Sequence, residues 1–527
     1  MIMARNEDGT YSQVGFVKDN VGIDIEYIYD KDGDIVFEKG FTRETSGTVP
    51  LTINGIGKDL KDWSIIGNPV QNGTPTPENP VEVQGVGDRT GNLYLWNGNL
   101  LCSSGLTVSE NKSVISSVVD VRGINTVYFT GDKTLLNSSV YRISKSDTPI
   151  EAGSTVKTFD SSFAGGVYDV SDCNYLLVTA SVYNKPQENI EIIKNTFMLN
   201  EGSTALPYEP YGYKIPVVTR GKNLTNKNSV SSVGWALNVT DLLLSLNSLD
   251  VGTYVFSANV ELTKRDDTSD SSTFGASFMI EKLPLSNRVS WEGSPVGTVK
   301  QLKFSFTVTK ERKGKFTQAY LYGCGINGVG KTGLACFFDI QVEAGAAATP
   351  YEPYHEPITT PIYLPTPLYS GEVMKSDGGR EVKFDKLVLT GEETFTTHKT
   401  FEDGTISIRI PSLKAKSNSI IYCTHLQNVS FAELYNNEKQ GISSHLKNEL
   451  NNLYCLISGF TNLTQYKDFF RNEYSAGTPV TVWYQLATPT TETFTAPQIP
   501  TINGTTVIDV DTTVKPTEMY IKYKSRK

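Results

Sequence analysis

Apolar residues recur at every second position through much of this chain. In "TYVFSANVEL" the alternating residues are Tyr254, Phe256, Ala258, Val260 and Leu262. In "QLKFSFTV" they are Leu302, Phe304, Phe306 and Val308, and the runs "FTQAYLY" and "LACFFDIQVE" come next. A period of two puts one side of each strand against a core. Successive strands of this kind build antiparallel sandwiches whose sheets bury their apolar faces against each other, and a jelly roll is the natural form at this length. Near the start, "VGIDIEYIYDKDGDIVFEKGF" sets Ile23, Ile25, Tyr27 and Tyr29 on one side, turns at Asp32-Gly33 and resumes with Ile35 and Phe37, a hairpin signature. The same acidic turn does not fit a calcium loop, which needs its glycine two positions later.

Period 3.6 appears in few places. "TNLTQYKDFFRNE" predicts a helix with Thr461 or Asn462 as N-cap and Leu463, Tyr466 and Phe470 on one face. "HLKNELNNL" (His445 to Leu453) reads as a second, shorter helix. The predicted fold class is therefore all-β and multi-domain, with tandem β-sandwich (jelly-roll) modules, a β-rich N-terminal unit and a mostly β C-terminal domain carrying one or two short helices.

The chain repeats itself. "PYEPY" occurs at 207–211 and again at 350–354, each time after a strand and an acidic-Gly turn. The openings "TGNLY" (Thr90 to Tyr94) and "RGKNLT" (Arg220 to Thr225) also correspond. The repeat implies two tandem modules of one kind, 91–212 and 221–355. Before them lie an N-terminal hairpin unit, 1–61, and a stretch, 62–90, whose prolines Pro69, Pro75, Pro77 and Pro80 predict an extended strap. After them come a Pro-rich linker, 356–371, and a C-terminal β-rich domain, 372–527. The "PYEPY" tyrosines are expected to pack across each sandwich edge and set the angle to the next domain.

Composition narrows the function. The 527 residues carry a net charge of −9, and the only basic cluster is the tail "KYKSRK", so nucleic acid is not an expected partner. No run approaches a membrane span, and the polar "MIMARNEDGTYSQ" lacks the apolar core of a signal peptide, so neither a membrane nor an export signal is expected. The six cysteines form no C-x-x-C pair and read as free thiols.

Three blocks carry a resemblance: "IIGNPVQNGTPTPENPVEVQGVGDRTGNLY", the two "PYEPY" closers, and "GTPVTVWYQLATPTTE" (Gly477 to Glu492). They resemble structural proteins of tailed bacteriophages and prophages of Gram-positive hosts, notably gut Firmicutes: tail-tip, baseplate or tail-fibre components. The resemblance runs from about Ser46 to Thr491 and marks no ligand residues. It implies modules like the jelly rolls of carbohydrate-binding modules and a place in the virion tail after assembly in the host cytoplasm. Its implied partners are other tail or baseplate proteins, met through the N-terminal unit, and host cell-surface polysaccharide; a homotrimer is the assembly it suggests. The alternatives are an architectural connector that binds no sugar and, third, a polysaccharide-degrading tail enzyme.

Catalytic chemistry finds little footing. "GINGVGKT" (Gly325 to Thr332) matches a phosphate-binding P-loop pattern, but "GLACFFDIQVEAG" after it is β-rich, where a P-loop needs a helix. It reads instead as a hairpin loop between adjacent antiparallel strands, with Lys331 in solvent. His355, His398, His425 and His445 make no zinc spacing, and no G-x-S-x-G elbow occurs. No enzyme, cofactor or metal is expected. Sugar binding by stacking of pyranose faces on exposed rings is better served. The candidate platforms are Trp235 in "SVGWAL" and Trp291 in "RVSWEG", both in polar, loop-like surroundings, against the preferred alternative that each caps a sandwich core; Trp63, Trp96 and Trp483 fall in patterned segments and read as core or interface.

Overall fold

The computed structural model describes residues 2–5, 11–15, 35–42 and 51–525, apart from 57–58, 61, 94, 97, 99, 102–105, 109–113, 138–139, 266–272, 281–282, 326–332, 411–413, 437, 448–449 and 517. The alternating residues 23–29 and their turn lie outside the described residues. Strands predominate, and among the described residues every strand pair is antiparallel apart from one isolated bridge.

The centre of the molecule is a sandwich assembled from segments distant in sequence. One of its sheets has the order Ile358–Leu364, Tyr213–Gly221, Asn503–Val510, Leu51–Ile56, with Asp88–Arg89 added at the end of Tyr213–Gly221. The other runs Ile35–Thr42, Glu518–Ser525, Asp62–Ile66, Val373–Lys375, Gly379–Leu389, Val480–Thr493, Ile421–Cys423. Ile215, Val217, Ile362, Leu364 and Ile508 of the first meet Trp63, Ile65, Met374 and Met519 of the second in one core. Tyr213–Gly221 shows how alternation builds this layer: Ile215, Val217 and Thr219 point in, and their neighbours point out.

This pairing crosses the divisions drawn from sequence. Asp62–Ile66, assigned to the strap, lies between Glu518–Ser525 and Val373–Lys375, which belong to the C-terminal segment. Residues 356–371, assigned to a linker, contain the strand Ile358–Leu364. Its Pro361 sits opposite Pro216. Two prolines can face each other only where neither amide is needed for the ladder, so the prolines here do not break the strand. In the rest of the 62–90 stretch Val70–Gln71 pairs with Val83–Gln84 and Asp88–Arg89 joins the first sheet, while Val81 N to Thr424 O (2.7 Å) and Gln71 Nε2 to Cys423 O (2.8 Å) tie it to the second.

The chain leaves this centre three times. The first excursion is a sandwich of four strands (Val114–Asp120, Tyr175–Ser181, Tyr141–Ser146, Thr158–Phe163) on three (Gly166–Asp169, Thr126–Thr130, Met198–Glu201). Its core holds Phe129, Tyr141, Ile143, Leu176 and Phe197, with Ile193 from the helix Gln187–Thr196. The second sets four strands on four: Ser229–Val233, Gly333–Ala344, Gly252–Arg265, Val299–Val308 against Leu237–Asn238, Phe316–Gly325, Thr273–Ile280, Leu283–Ser290. The predicted alternations at 254–262 and 302–308 supply its core, with Leu242 and Leu246 of the helix Thr240–Asn247.

Both excursions are closed at the neck by the same hydrogen-bond frame. Asn92 Oδ1 accepts from Leu199 N (3.2 Å), and Asn92 Nδ2 donates to Glu209 O (3.0 Å). Asn223 Oδ1 accepts from Val342 N (3.2 Å), and Asn223 Nδ2 donates to Glu352 O (3.2 Å). Each "PYEPY" carboxylate then grips the strand or turn beside it. Glu209 takes Gly91 N (2.8 Å) and Lys214 Nζ (2.6 Å); Glu352 takes Thr505 N and Oγ1 (both 2.8 Å). These bonds run through the asparagine and the glutamate; of the tyrosines, Tyr208 is 37% exposed while Tyr211, Tyr351 and Tyr354 are half-buried.

The third excursion lays the sheet Thr396–Thr400, Ile406–Ile410, Leu450–Leu456, Gly441–Lys447 over the outer side of the seven-stranded sheet. The predicted helix is Leu463–Ala476, with Asn462 in a capping box, Gly477 (φ 85°) ending it, and Tyr466 and Phe470 buried. The second predicted helix is not formed: 445–453 falls in the strands Gly441–Lys447 and Leu450–Leu456. Leu453 and Cys455 enter one core while Tyr454 and Leu456 enter another under the helix Phe431–Asn436. A strand buried on both sides loses the period-two signature.

Candidate functional site

The two candidate tryptophans part company. Trp291 is fully buried. Its ring lies 4.2 Å from that of Phe274, and its Nε1 donates to Gly323 O at 2.9 Å. It cannot meet a ligand, and its role as a platform is withdrawn. Trp235 is 48% exposed. It sits where the chain crosses from Ser229–Val233 in one sheet of the second module to Leu237–Asn238 in the other.

That crossing depends on Gly323. Gly323 N donates to Gly234 O (2.8 Å), and a Cβ at this position would lie 1.9 Å from Val233 O. The indole of Trp291 holds the carbonyl of the same glycine. The buried tryptophan therefore anchors the strand against which the exposed one is seated.

Trp235 is not isolated. Its ring stands 6.3 Å from Tyr322, edge to face at 77°, and Tyr320 lies beyond, at 6.0 Å from Tyr322. Both tyrosines lie on Phe316–Gly325, where Ala319 and Leu321 point into the core and Gln318, Tyr320 and Tyr322 point outward. Across the sheet, Gly275 is paired with Tyr322 on one side and Arg288 on the other. The Arg288 guanidinium lies over the Tyr322 ring, 4.7 Å from its centre. A Cβ on Gly275 would come within 2.9 Å of Arg288 Cγ, so this glycine leaves the lane through which the arginine reaches the ring. Sequence reasoning does not single out Tyr320, Tyr322, Gly275 or Arg288. The signal available is the phase of "QAYLY", whose larger rings alternate against the Ala–Leu pair that fills the core.

The surface is thus a row of rings on the outer face of a rigid sheet, with one cation at its side. Such a face can stack apolar sugar faces and donate to oxygen acceptors.

Thr424 Oγ1 lies 2.8 Å from His425 Nδ1, and His425 Nε2 lies 3.3 Å from Glu473 Oε2, an order that resembles a hydrolase triad. But the hydroxyl already accepts from Thr481 N (2.9 Å), and His425 is 1% exposed, so the trio ties a loop to the helix Leu463–Ala476. Burial pushes the His425 pKa down, and Glu473 offsets this only in part. Among the described residues no group of three His, Cys, Asp or Glu side chains could hold a metal ion. No helix among them is long and apolar enough to cross a membrane. Cys173, Cys336, Cys423 and Cys455 are free thiols.

The P-loop pattern resolves through its flanks, since 326–332 lie outside the described residues. The next element is the strand Gly333–Ala344, so the helix N-terminus a phosphate site needs is missing there. The expected hairpin is also corrected: Phe316–Gly325 and Gly333–Ala344 belong to opposite sheets, because the last strand returns to a central place between Ser229–Val233 and Gly252–Arg265. No protein-family model, curated protein or solved structure matches this chain.

Proposed function

We propose that this chain is a tail component of a bacteriophage of a Gram-positive host, built as two jelly-roll modules on a central sandwich, and that it adheres non-covalently to carbohydrate on the host surface. The observation that carries the adhesive reading is the row Trp235, Tyr322, Tyr320 on the outer sheet of the second module, exposed at Trp235 and half-buried at the two tyrosines. The tail assignment rests on the three sequence blocks that resemble such proteins. Trp235 offers roughly half of an indole surface of about 200 Å². Covering half of that with a sugar, at about 25 cal/mol per Å², yields about 1 kcal/mol per site. Single sites of that strength are weak, and several copies in a homotrimer act together through effective concentration.

A connector that binds no sugar is the second reading. The neck frames at Asn92–Glu209 and Asn223–Glu352 favour it, because they would keep each module at a set angle under load. Binding of the purified full chain to wall polysaccharide from Gram-positive cells separates the two. Adhesion predicts saturable binding that Trp235→Ala weakens by about fivefold or more per site. A folded oligomer that binds no wall polysaccharide would leave the connector.

A further inference from the structure

We infer that the outer face of this sheet takes an anionic saccharide, and that Arg288 selects it. The inference rests on the adhesive reading and narrows it to a ligand class.

The first ground is charge. The four strands of the sheet, Leu237–Asn238, Phe316–Gly325, Thr273–Ile280 and Leu283–Ser290, contain a single charged residue, Arg288. The chain as a whole carries −9, so a surface of this size with one cation and no acid departs from the rest of the molecule.

The second ground is that Arg288 has no acidic partner. Among the described residues no carboxylate pairs with it; its own backbone N–H bonds Asn287 Oδ1 (2.9 Å), and its guanidinium meets only the Tyr322 ring. The ring face attracts the cation and holds it in place. Among the described residues none of its side-chain N–H donors makes a hydrogen bond. They form the planar fork that matches a carboxylate or a phosphate with two parallel hydrogen bonds.

The third ground is placement. Gly275 stands between Arg288 and Tyr322 in the strand register, and any side chain there would push the arginine away from the ring. The guanidinium is thereby held over the middle ring of the row, Tyr322, with Trp235 on one side and Tyr320 on the other. A saccharide stacked on Trp235 brings its next acidic substituent toward the fork. Ser286, outward on the same strand as Arg288 and exposed, adds a hydroxyl for neutral sugar oxygens. A uronic-acid carboxylate and a sugar- or polyol-phosphate share the chemistry recognised.

The test measures binding of the full chain to three polymers: a uronic-acid polysaccharide, a poly(glycerol phosphate) and a neutral glucan. Wild type, Arg288→Gln, Arg288→Lys and Trp235→Ala are compared at low and physiological salt. The expected result is binding to at least one anionic polymer about tenfold tighter than to the glucan and weakened by salt. Arg288→Gln should bring the anionic polymer down to the level of the glucan, and Arg288→Lys should restore part of the difference. The preferred polymer then tells carboxylate from phosphate. Equal binding to all three that still depends on Trp235, or an anionic preference that survives Arg288→Gln, overturns the inference and leaves adhesion standing. Binding to none of the three overturns both.

Discussion

Replacing Glu372 with glutamine should open the centre of the molecule locally, by an amount the hydrogen bonds set. Glu372 has no exposed surface, and Arg380, its partner, is 1% exposed. Glu372 Oε2 accepts from Arg380 Nη2 (2.9 Å) and Tyr369 N (3.0 Å), and Oε1 accepts from Lys383 N (2.9 Å) and Phe384 N (3.1 Å). Arg380 also donates to Thr366 O and Pro367 O, both at 2.9 Å. The pair thus pins the Pro-rich turn after Ile358–Leu364 onto the strand Gly379–Leu389. A glutamine keeps the shape but sets its own NH2 against donors, and it leaves the guanidinium without its buried counter-charge. Breaking such a pair costs about 3–5 kcal/mol. Glu492, 3.5 Å from Arg380 Nη1 but 44% exposed, offsets part of this, so the low end, about 3 kcal/mol, is expected. Native-state hydrogen exchange reads the effect at the amides of Tyr369, Lys383 and Phe384, where about 3 kcal/mol is roughly a hundredfold faster exchange. The double change Glu372→Leu with Arg380→Met removes both charges and should recover much of the protection. Exchange at these amides within about twofold of wild type in Glu372→Gln would refute the reasoning.

Asn223→Ala removes both halves of the second neck frame and leaves Val342 N without its side-chain acceptor. A loss of about 1–3 kcal/mol is expected, seen as faster exchange at Val342 and Thr225 with the core of the second module unchanged. His425 is held neutral by burial, its pKa below the ordinary 6.5, so the unfolded chain binds the extra proton. The stability of the third excursion should be full above about pH 6.5 and fall as the pH drops through the folded value; a urea midpoint equally pH-dependent in His425→Gln would contradict this. Trp291→Ala should cost about 3–5 kcal/mol in the unfolding of the second module, as expected of a core ring, whereas Trp235→Ala should leave thermal unfolding nearly unchanged.

Much of the strand content is legible in the sequence because one face of each strand is buried, as at 254–262 and 302–308. The helix Leu463–Ala476 is legible because its cap and its apolar stripe agree. The repeat is visible as well, although its use is not: identity at "PYEPY" draws the eye to tyrosines, while the bonds run through Asn92, Asn223, Glu209 and Glu352. The central sandwich is hidden because its partners are far apart. Leu51–Ile56 pairs with Asn503–Val510, and no local pattern encodes that choice. Pro361 disguises a strand because it lies on the edge strand of its sheet, where a missing amide is tolerated, and no local pattern reveals that place. The difference between the two tryptophans is legible in principle. Leu285, Val289 and Trp291 share one phase, the inward one, so the buried ring continues the strand Leu283–Ser290. Trp235 lies in a crossing between sheets, which periodicity does not describe.

We propose that the second module presents the Trp235 face outward from a phage tail. An electron-microscopy map of assembled virions carrying this chain tests it most directly. The account predicts that the outer sheet of the second module, with Trp235, Tyr322 and Arg288, faces solvent at the end away from the tail. Density for a neighbouring tail protein packed over that face would contradict it.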